Sequence, residues 1–155
     1  MEKIESFKIN HLNLFSGLYV SRKDSYNNQM VTTFDMRFTA PNREKPMERS
    51  AIHTLEHLGA TFFRNSEIKE QVVYFGPMGC RTGFYLLLFN DWSPKALFPY
   101  AISLCDFVIN FNGDIPGATA IECGNYSEQD LDLAKAYAKK YKKDLLEHKR
   151  TVYPE

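Results

Sequence analysis

Residues 52–57 read Ile-His-Thr-Leu-Glu-His, and this stretch with its surroundings decides how the chain is interpreted. Apolar residues recur at helical intervals through residues 48–64, which predicts a helix with one apolar face. His53 and His57 are four residues apart, so a helix places both imidazoles on one side, where they can bind one metal ion. Glu56 is spaced poorly for a third ligand, but it lies close enough to transfer protons at the metal.

A catalytic metal site needs a third protein ligand, and the chain offers two loop cysteines for that position. Cys123 precedes the last predicted helix, where a loop can deliver a thiolate. Cys80 lies in a glycine-rich loop beside Arg81, whose charge is expected to favour the thiolate needed for acid/base or nucleophilic chemistry. The spacing alone leaves open which cysteine is the ligand and which is the catalyst. Cys105 falls within a predicted helix beside a core position, and we interpret it as a small buried apolar residue.

Two other functions fit the same cluster of residues. A small metallopeptidase is the first alternative, because His-x-x-Glu-His also occurs in zinc peptidases whose glutamate activates a metal-bound water. A non-catalytic metal-binding domain is the second, and it needs a fourth ligand, for which His11 or His148 is available. The presence of Glu56 beside the histidines and the glycine-rich loop around Cys80 favour catalysis.

The composition limits the fold and the partners. The chain has 155 residues, 44% of them hydrophobic, which is enough for one domain spanning residues 1–155. Its 19 basic and 19 acidic residues balance, so we expect no nucleic acid and no anionic membrane as a partner. No apolar run is long enough to span a bilayer, and the N-terminus lacks the apolar segment of a signal peptide. An odd cysteine count is a poor disulfide framework, so we predict a cytoplasmic protein.

The segments around the histidine helix predict both strands and helices. They indicate an α+β fold in which a mainly antiparallel sheet packs against helices, one of which carries the His-x-x-Glu-His motif. The predicted elements are a half-buried strand over 33–38, a strand over 71–75, a loop over 76–79, a strand over 84–89, a helix capped by Ser93 and running to about Phe111, and a last helix starting at Ser127 with Asp130 completing a variant capping box.

Several motifs occur together in a characteristic order. They are Glu5-Ser6-Phe7 with His11, Phe34-Asp35-Met36-Arg37-Phe38 followed by Pro41-Asn42, Ile52-His53-Thr54-Leu55-Glu56-His57, Pro77-Met78-Gly79-Cys80-Arg81-Thr82-Gly83-Phe84-Tyr85-Leu86, and Ile115-Pro116 followed by Cys123-Gly124. Over nearly the whole chain this order resembles the S-ribosylhomocysteine lyase (LuxS) family.

The resemblance implies a role for each candidate residue. It implies one divalent ion per subunit, Fe²⁺ in this family with Zn²⁺ or Co²⁺ as substitutes. It implies Cys80 and Glu56 as the acid/base pair. The implied metal ligands are His53, His57 and Cys123, and the implied substrate contacts are Ser6, His11, Arg37 and Arg64.

The same resemblance implies an activity and an assembly. Family members cleave the thioether of S-ribosylhomocysteine to homocysteine and 4,5-dihydroxypentane-2,3-dione, the precursor of autoinducer 2. This reaction links the methionine cycle to quorum sensing. Family members form homodimers with two active sites at the interface, so we expect a homodimer here.

Overall fold

A computed structural model of the chain describes residues 2–155 and has an α+β fold. The strands are β1 (Gly17–Tyr26), β2 (Gln29–Arg37), β3 (Val72–Pro77) and β4 (Gly83–Phe89), and the helices are α1 (Glu5–Lys8), α2 (Arg49–Arg64), α3 (Pro94–Asn110) and α4 (Leu131–His148), with a short 3₁₀ turn at Lys69–Gln71. Within residues 2–155 no helix combines the length and the apolar character needed to cross a membrane.

The four strands form one antiparallel sheet in the order β1-β2-β4-β3. β1 and β2 are joined by a tight hairpin through Asn27 and Asn28, whose φ angles of 46° and 63° are those of a type I′ turn. Strand β1 is absent from the sequence-based prediction. Its outer half, from Lys23 to Tyr26, is exposed and polar, so it lacks the apolar alternation that reveals a strand.

Helix α2, which carries both candidate histidine ligands, packs directly on strand β3 because a glycine allows close approach. A Cβ atom at Gly59 would lie 2.2 Å from a ring carbon of Phe75, so only glycine fits between the helix and the strand. Residues from both sheet and helices form the hydrophobic core around this contact. The core therefore fixes α2 against the sheet, with its histidines outside the apolar stripe.

The strand β2 is more buried than the sequence suggests. The prediction of a half-buried strand is wrong, because both faces of β2 are buried from Thr32 to Arg37. Asp35 is 0% exposed and Arg37 is 2% exposed. An alternating apolar and polar pattern normally marks one wet face, but these two opposite charges neutralise each other and are buried together.

Three predicted boundaries meet different outcomes. Ser93 caps α3 as predicted, since its hydroxyl accepts from Ala96 N at 3.2 Å. The predicted start of the last helix at Ser127 is wrong, because Asp130 is itself the cap and accepts from Leu133 N at 2.9 Å. The predicted loop over 76–79 is wrong in its first half, because β3 continues through Pro77, which an edge strand tolerates.

Candidate metal and catalytic site

Three side chains that are distant in sequence meet beside helix α2. The Nε2 atoms of His53 and His57 lie 3.0 Å apart, and Cys123 Sγ lies 3.4 Å from His53 Nε2. One ligand atom from each residue lies within 4.8 Å of the other two. Two imidazole nitrogens and one thiol sulfur form a donor set suited to a transition metal ion with an open coordination position.

Backbone carbonyls orient both imidazole rings. His53 Nδ1 lies 2.9 Å from Glu128 O, and His57 Nδ1 lies 2.7 Å from Pro116 O. A carbonyl oxygen can only accept a hydrogen bond, which favours the tautomer with the proton on Nδ1 and a lone pair on Nε2. The side-chain amide of Gln129 also lies 3.2 Å from His53 Nδ1. Two lone pairs 3.0 Å apart repel each other unless a cation lies between them. The residues present therefore fit a metal ion.

The loop between α3 and α4, residues 111–130, carries the remaining parts of this cluster. Gly117 has a φ of 72°, and a Cβ atom there would lie 3.2 Å from His57 Nδ1, so the loop passes close to the ring. Cys123 N donates to Thr119 O at 2.9 Å, and Asn125 N donates to Cys123 Sγ at 3.4 Å. These contacts hold the sulfur in place beside the two imidazoles.

Glu56 lies beside the metal cluster on the same helix. It is half-buried and lines a cavity of about 340 Å³ together with His57, Thr61, Phe75 and Gly117. This position gives the carboxylate access to the space next to the metal ligands. The geometry agrees with a proton-transferring group that does not bind the metal itself.

Cys80 lies in the turn between β3 and β4, and its side chain is exposed. Its Sγ lies 3.1 Å from Thr82 Oγ1 and 3.9 Å from Arg37 Nη1. Arg81, which has a φ of 59°, donates instead to Met47 O at 3.5 Å. The cation in contact with the thiol is thus Arg37 and not the adjacent Arg81 that the sequence suggested.

Arg37 is held by a buried, bidentate ion pair. Its Nε donates to Asp35 Oδ1 at 3.0 Å and its Nη2 to Asp35 Oδ2 at 2.6 Å, which leaves Nη1 to donate to Thr82 Oγ1 at 2.7 Å. Burial alone would lower the pKa of the Arg37 guanidinium, but the Asp35 carboxylate more than offsets this and raises it. The Tyr153 hydroxyl donates to Asp35 Oδ2 at 2.9 Å.

The chain is similar in sequence to known proteins over nearly its whole length. The family described as S-Ribosylhomocysteinase (LuxS) matches residues 4–152. The chain belongs to the LuxS family. A relative from Finegoldia magna is 51% identical over the full length of both chains. One from Clostridium acetobutylicum is 48% identical, again over both full lengths, and one from Borreliella burgdorferi is 53% identical over 91% of this chain and 90% of its own. All three are named S-ribosylhomocysteine lyase.

In this LuxS-family chain the four predicted substrate contacts lie in three different parts of the structure. His11 lines a cavity of about 410 Å³ together with Cys80, and Arg37 contacts the Cys80 sulfur. Ser6 lines a separate cavity of about 310 Å³ on the sheet. The Arg64 guanidinium donates to the carbonyls of Val72 and Val73, at 3.0 and 3.1 Å, and so ties the end of α2 to β3.

The predicted site residues therefore form two separate groups within one chain. The first contains Cys80 with His11 and Arg37, and the second contains the candidate metal ligands with Glu56. The cavities on which the two groups open share no lining residue. The sequence did not predict this separation. It also did not predict the carbonyls that orient the histidines, because every residue has a carbonyl and residue type does not show where it lies.

Proposed function

We propose that this chain is a carbon–sulfur lyase that cleaves the thioether of S-ribosylhomocysteine to homocysteine and 4,5-dihydroxypentane-2,3-dione. The observation that carries the proposal is the meeting of His53, His57 and Cys123 within 4.8 Å in a chain matched by the LuxS family over residues 4–152. Two relatives named S-ribosylhomocysteine lyase match this chain over the full length of both sequences.

We propose that His53, His57 and Cys123 hold one divalent ion, and that this ion is Fe²⁺, with Zn²⁺ or Co²⁺ as working substitutes. The mixed nitrogen and sulfur donor set supports a transition metal over Mg²⁺ or Ca²⁺, which prefer oxygen. When bound, such an ion supplies Lewis-acid polarisation of a sugar carbonyl.

We assign proton transfer to Cys80 and Glu56. Cleavage of this thioether requires that protons be removed and returned at neighbouring sugar carbons until the carbonyl stands at C3. A proton is then removed from the carbon next to C3. The homocysteine thiolate then departs by β-elimination. Such a migration needs a base on each side of the substrate, and a thiol and a carboxylate can both serve at neutral pH. Arg37, whose Nη1 lies 3.9 Å from the Cys80 sulfur, holds that side chain in position between transfers.

A homodimer is part of the proposal, because one chain holds the two groups of site residues, each half of the proposed site, in separate cavities. A second copy related by a two-fold axis can place the Cys80 of one subunit against the metal ligands of the other and make two equivalent sites. Apolar side chains on the N-terminal segment are available to such an interface: Ile4 is 55% exposed, Phe7 71%, Leu12 67% and Phe15 40%.

The other expected properties follow from this assignment. Of the substrate contacts, His11 and Arg37 are supported by their closeness to Cys80, and Ser6 and Arg64 are carried by the family resemblance alone. The reducing cytoplasm suits a protein whose function needs Cys80 and Cys123 as free thiols. The balanced charge supports neither nucleic acid nor membrane as a partner.

A direct assay tests the proposal. Protein purified without oxygen and loaded with Fe²⁺ is incubated with S-ribosylhomocysteine, and the free thiol released is titrated while the products are identified by mass. We expect one homocysteine per dihydroxypentanedione, and no thiol from chelator-treated protein. Casein cleavage without thiol release would instead identify a metallopeptidase, and the absence of both activities would identify a non-catalytic metal-binding domain.

A further inference from the structure

The C-terminal segment covers the buried ion pair of strand β2. The ring of Tyr153 stacks on that of Tyr19 with centroids 4.7 Å apart and planes at 14°, and its hydroxyl donates to Asp35 Oδ2 at 2.9 Å. Tyr19 pairs with Asp35 across β1 and β2, so the Tyr153 ring lies over both strands. The family assignment and the proposed mechanism give no task to this contact.

A continuous series of contacts runs from Tyr153 to the thiol of Cys80. Asp35 accepts from the Tyr153 hydroxyl and binds two nitrogens of the Arg37 guanidinium. The third nitrogen of that guanidinium, Nη1, donates to Thr82 Oγ1 at 2.7 Å and lies 3.9 Å from Cys80 Sγ. Thr82 Oγ1 in turn lies 3.1 Å from the same sulfur.

We propose that Tyr153 is a positioning residue that acts through Asp35 and Arg37 to set the orientation and reactivity of the Cys80 thiol. This inference rests on the proposed catalytic use of Cys80. The Tyr153 hydroxyl does not touch the reacting groups, and its contribution reaches them through two buried side chains.

The physical basis of this role is that Tyr153 and Arg37 both donate hydrogen bonds to the same Asp35 carboxylate. The carboxylate is 0% exposed, so its donors are the protein groups around it, and each hydrogen bond to it is strong. When Tyr153 donates to Oδ2, the carboxylate attracts the guanidinium less strongly. More of the positive charge of Arg37 then acts from Nη1 on Cys80. Without that hydroxyl, Asp35 draws Arg37 toward itself and away from Thr82 and the thiol.

The Tyr153 hydroxyl is fit for this task at neutral pH. Burial, reinforced by the charge of the Asp35 carboxylate, raises the pKa of Tyr153 well above its usual value. The phenol therefore stays protonated and donates under every condition in which the enzyme would work. Burial raises the pKa of the Asp35 carboxyl, and the Arg37 guanidinium opposes that shift by donating to both oxygens, which keeps Asp35 an acceptor.

Two variants separate the hydroxyl from the ring. Tyr153→Phe keeps the stack on Tyr19 and removes only the hydroxyl. Tyr26→Phe, at a tyrosine that is 80% exposed, is the matched control. A chain ending at Val152 removes the ring as well and reports what the covering segment contributes by packing.

The measurement is the second-order rate of Cys80 alkylation by iodoacetamide at pH 7.5 in metal-loaded wild-type protein and in each of the three variants, read by mass on the peptide that carries Cys80. We expect about three- to tenfold slower alkylation in Tyr153→Phe, the factor that corresponds to one net hydrogen bond, and no change in Tyr26→Phe. We also expect kcat for thiol release to fall by a similar factor with KM unchanged.

Alkylation does not depend on turnover, so this inference and the proposed function fail separately. Slower alkylation of Cys80 in Tyr153→Phe, in a protein that releases no thiol, would support the positioning role and contradict the lyase assignment. Wild-type alkylation in Tyr153→Phe would overturn the positioning role, whatever the lyase assay shows. Slow alkylation only in the chain ending at Val152 would also overturn it, because the ring and not the hydroxyl would then be responsible.

Discussion

The Nε2 atoms of His53 and His57 lie 3.0 Å apart, while the Nδ1 atom of each ring is committed to a backbone carbonyl. The hydrogen bonds to Glu128 O and Pro116 O thus orient the two rings so that both Nε2 lone pairs point at one place. This arrangement is unfavourable by itself and becomes favourable when a cation joins the two nitrogens. It is the clearest indication in the chain of what the site binds.

Removing a ligand should remove the metal. We expect His57→Ala protein, purified without oxygen, to retain about a tenth or less of the wild-type metal, because two donors hold a divalent ion far more weakly than three. His148→Ala is the control, since His148 is exposed at the end of α4. Elemental analysis measures the metal. Full occupancy in His57→Ala would exclude this residue as a ligand.

Removing a proton carrier should spare the metal and stop the reaction. We expect Cys80→Ala and Glu56→Gln each to lose at least about a hundredfold in thiol release, the usual scale for a general acid or base, with metal content unchanged. Cys105→Ala is the control for Cys80, because Cys105 is 1% exposed in the core and burial raises the pKa of its thiol to about 12. Near-normal turnover in Cys80→Ala would remove that residue from the mechanism.

The loop over residues 111–130 contains two glycines that can be compared by the same substitution. Gly117→Ala should strain the backbone, because φ is 72°, and push its new Cβ to 3.2 Å from His57 Nδ1. We expect a loss of about 1 kcal/mol in stability and weaker metal binding, measured by thermal unfolding and by chelator competition. Gly124→Ala should change neither, since a Cβ there meets nothing within 4 Å. Equal effects of the two variants would contradict the proposed closeness of the loop to the ring.

A composite site should permit complementation between inactive subunits. His11→Ala removes a group of the Cys80 half, and His57→Ala removes a metal ligand. After subunit exchange, a mixed dimer contains one site with neither change if the two halves come from different chains, so we expect activity to return in part. The readout is thiol release from the mixture against each variant alone. Mixed dimers that stay inactive would place both halves on the same chain, and a strictly monomeric protein in light scattering would contradict dimerisation.

Stability should fall at alkaline pH through the buried tyrosine of β1. Burial, reinforced by the charge of Asp35, raises the pKa of Tyr19 from its ordinary value near 10 to about 12. The folded state therefore holds its proton where the unfolded state has released it. The contribution is fully present below pH 10 and is lost as pH rises through 12, and after solvent screening it is on the order of 1–2 kcal/mol. Urea unfolding from pH 9 to 12 should show a shallower loss in Tyr19→Phe than in wild type or Tyr26→Phe.

The sequence predicted best where the local pattern was strong. The helix over 48–64 is confirmed almost to the residue by α2, and the meeting of His53, His57 and Cys123 agrees with the predicted ligand set. Helical spacing fixes which side chains share a face, so two of the three positions follow from the sequence alone. The third comes from a loop, and only the family resemblance distinguished Cys123 from Cys80.

The failures share a physical cause, which is that long-range contacts leave no local pattern. The sequence pattern suggests that Asp35 and Arg37 face solvent, but the two side chains form an ion pair and are buried together. Arg37 lies 43 positions from Cys80 in sequence, so no spacing rule indicates their contact. Ser127 resembles a helix cap, yet Asp130 satisfies the first free amides of α4 more directly.

The irregular loop over residues 111–130 has one further consequence. It joins α3 to α4 without any helix or strand. It contacts α2 through two backbone carbonyls and the Cys123 sulfur at the histidines, and through Gln129 and Asp130 at Thr54. An ion bound by His53, His57 and Cys123 acts as a cross-link between this loop and α2, which closes the loop and lowers the entropy cost of ordering it. Loading with the metal would then order this loop as well as complete the site, and the supply of that ion would govern how much of the protein has the loop ordered.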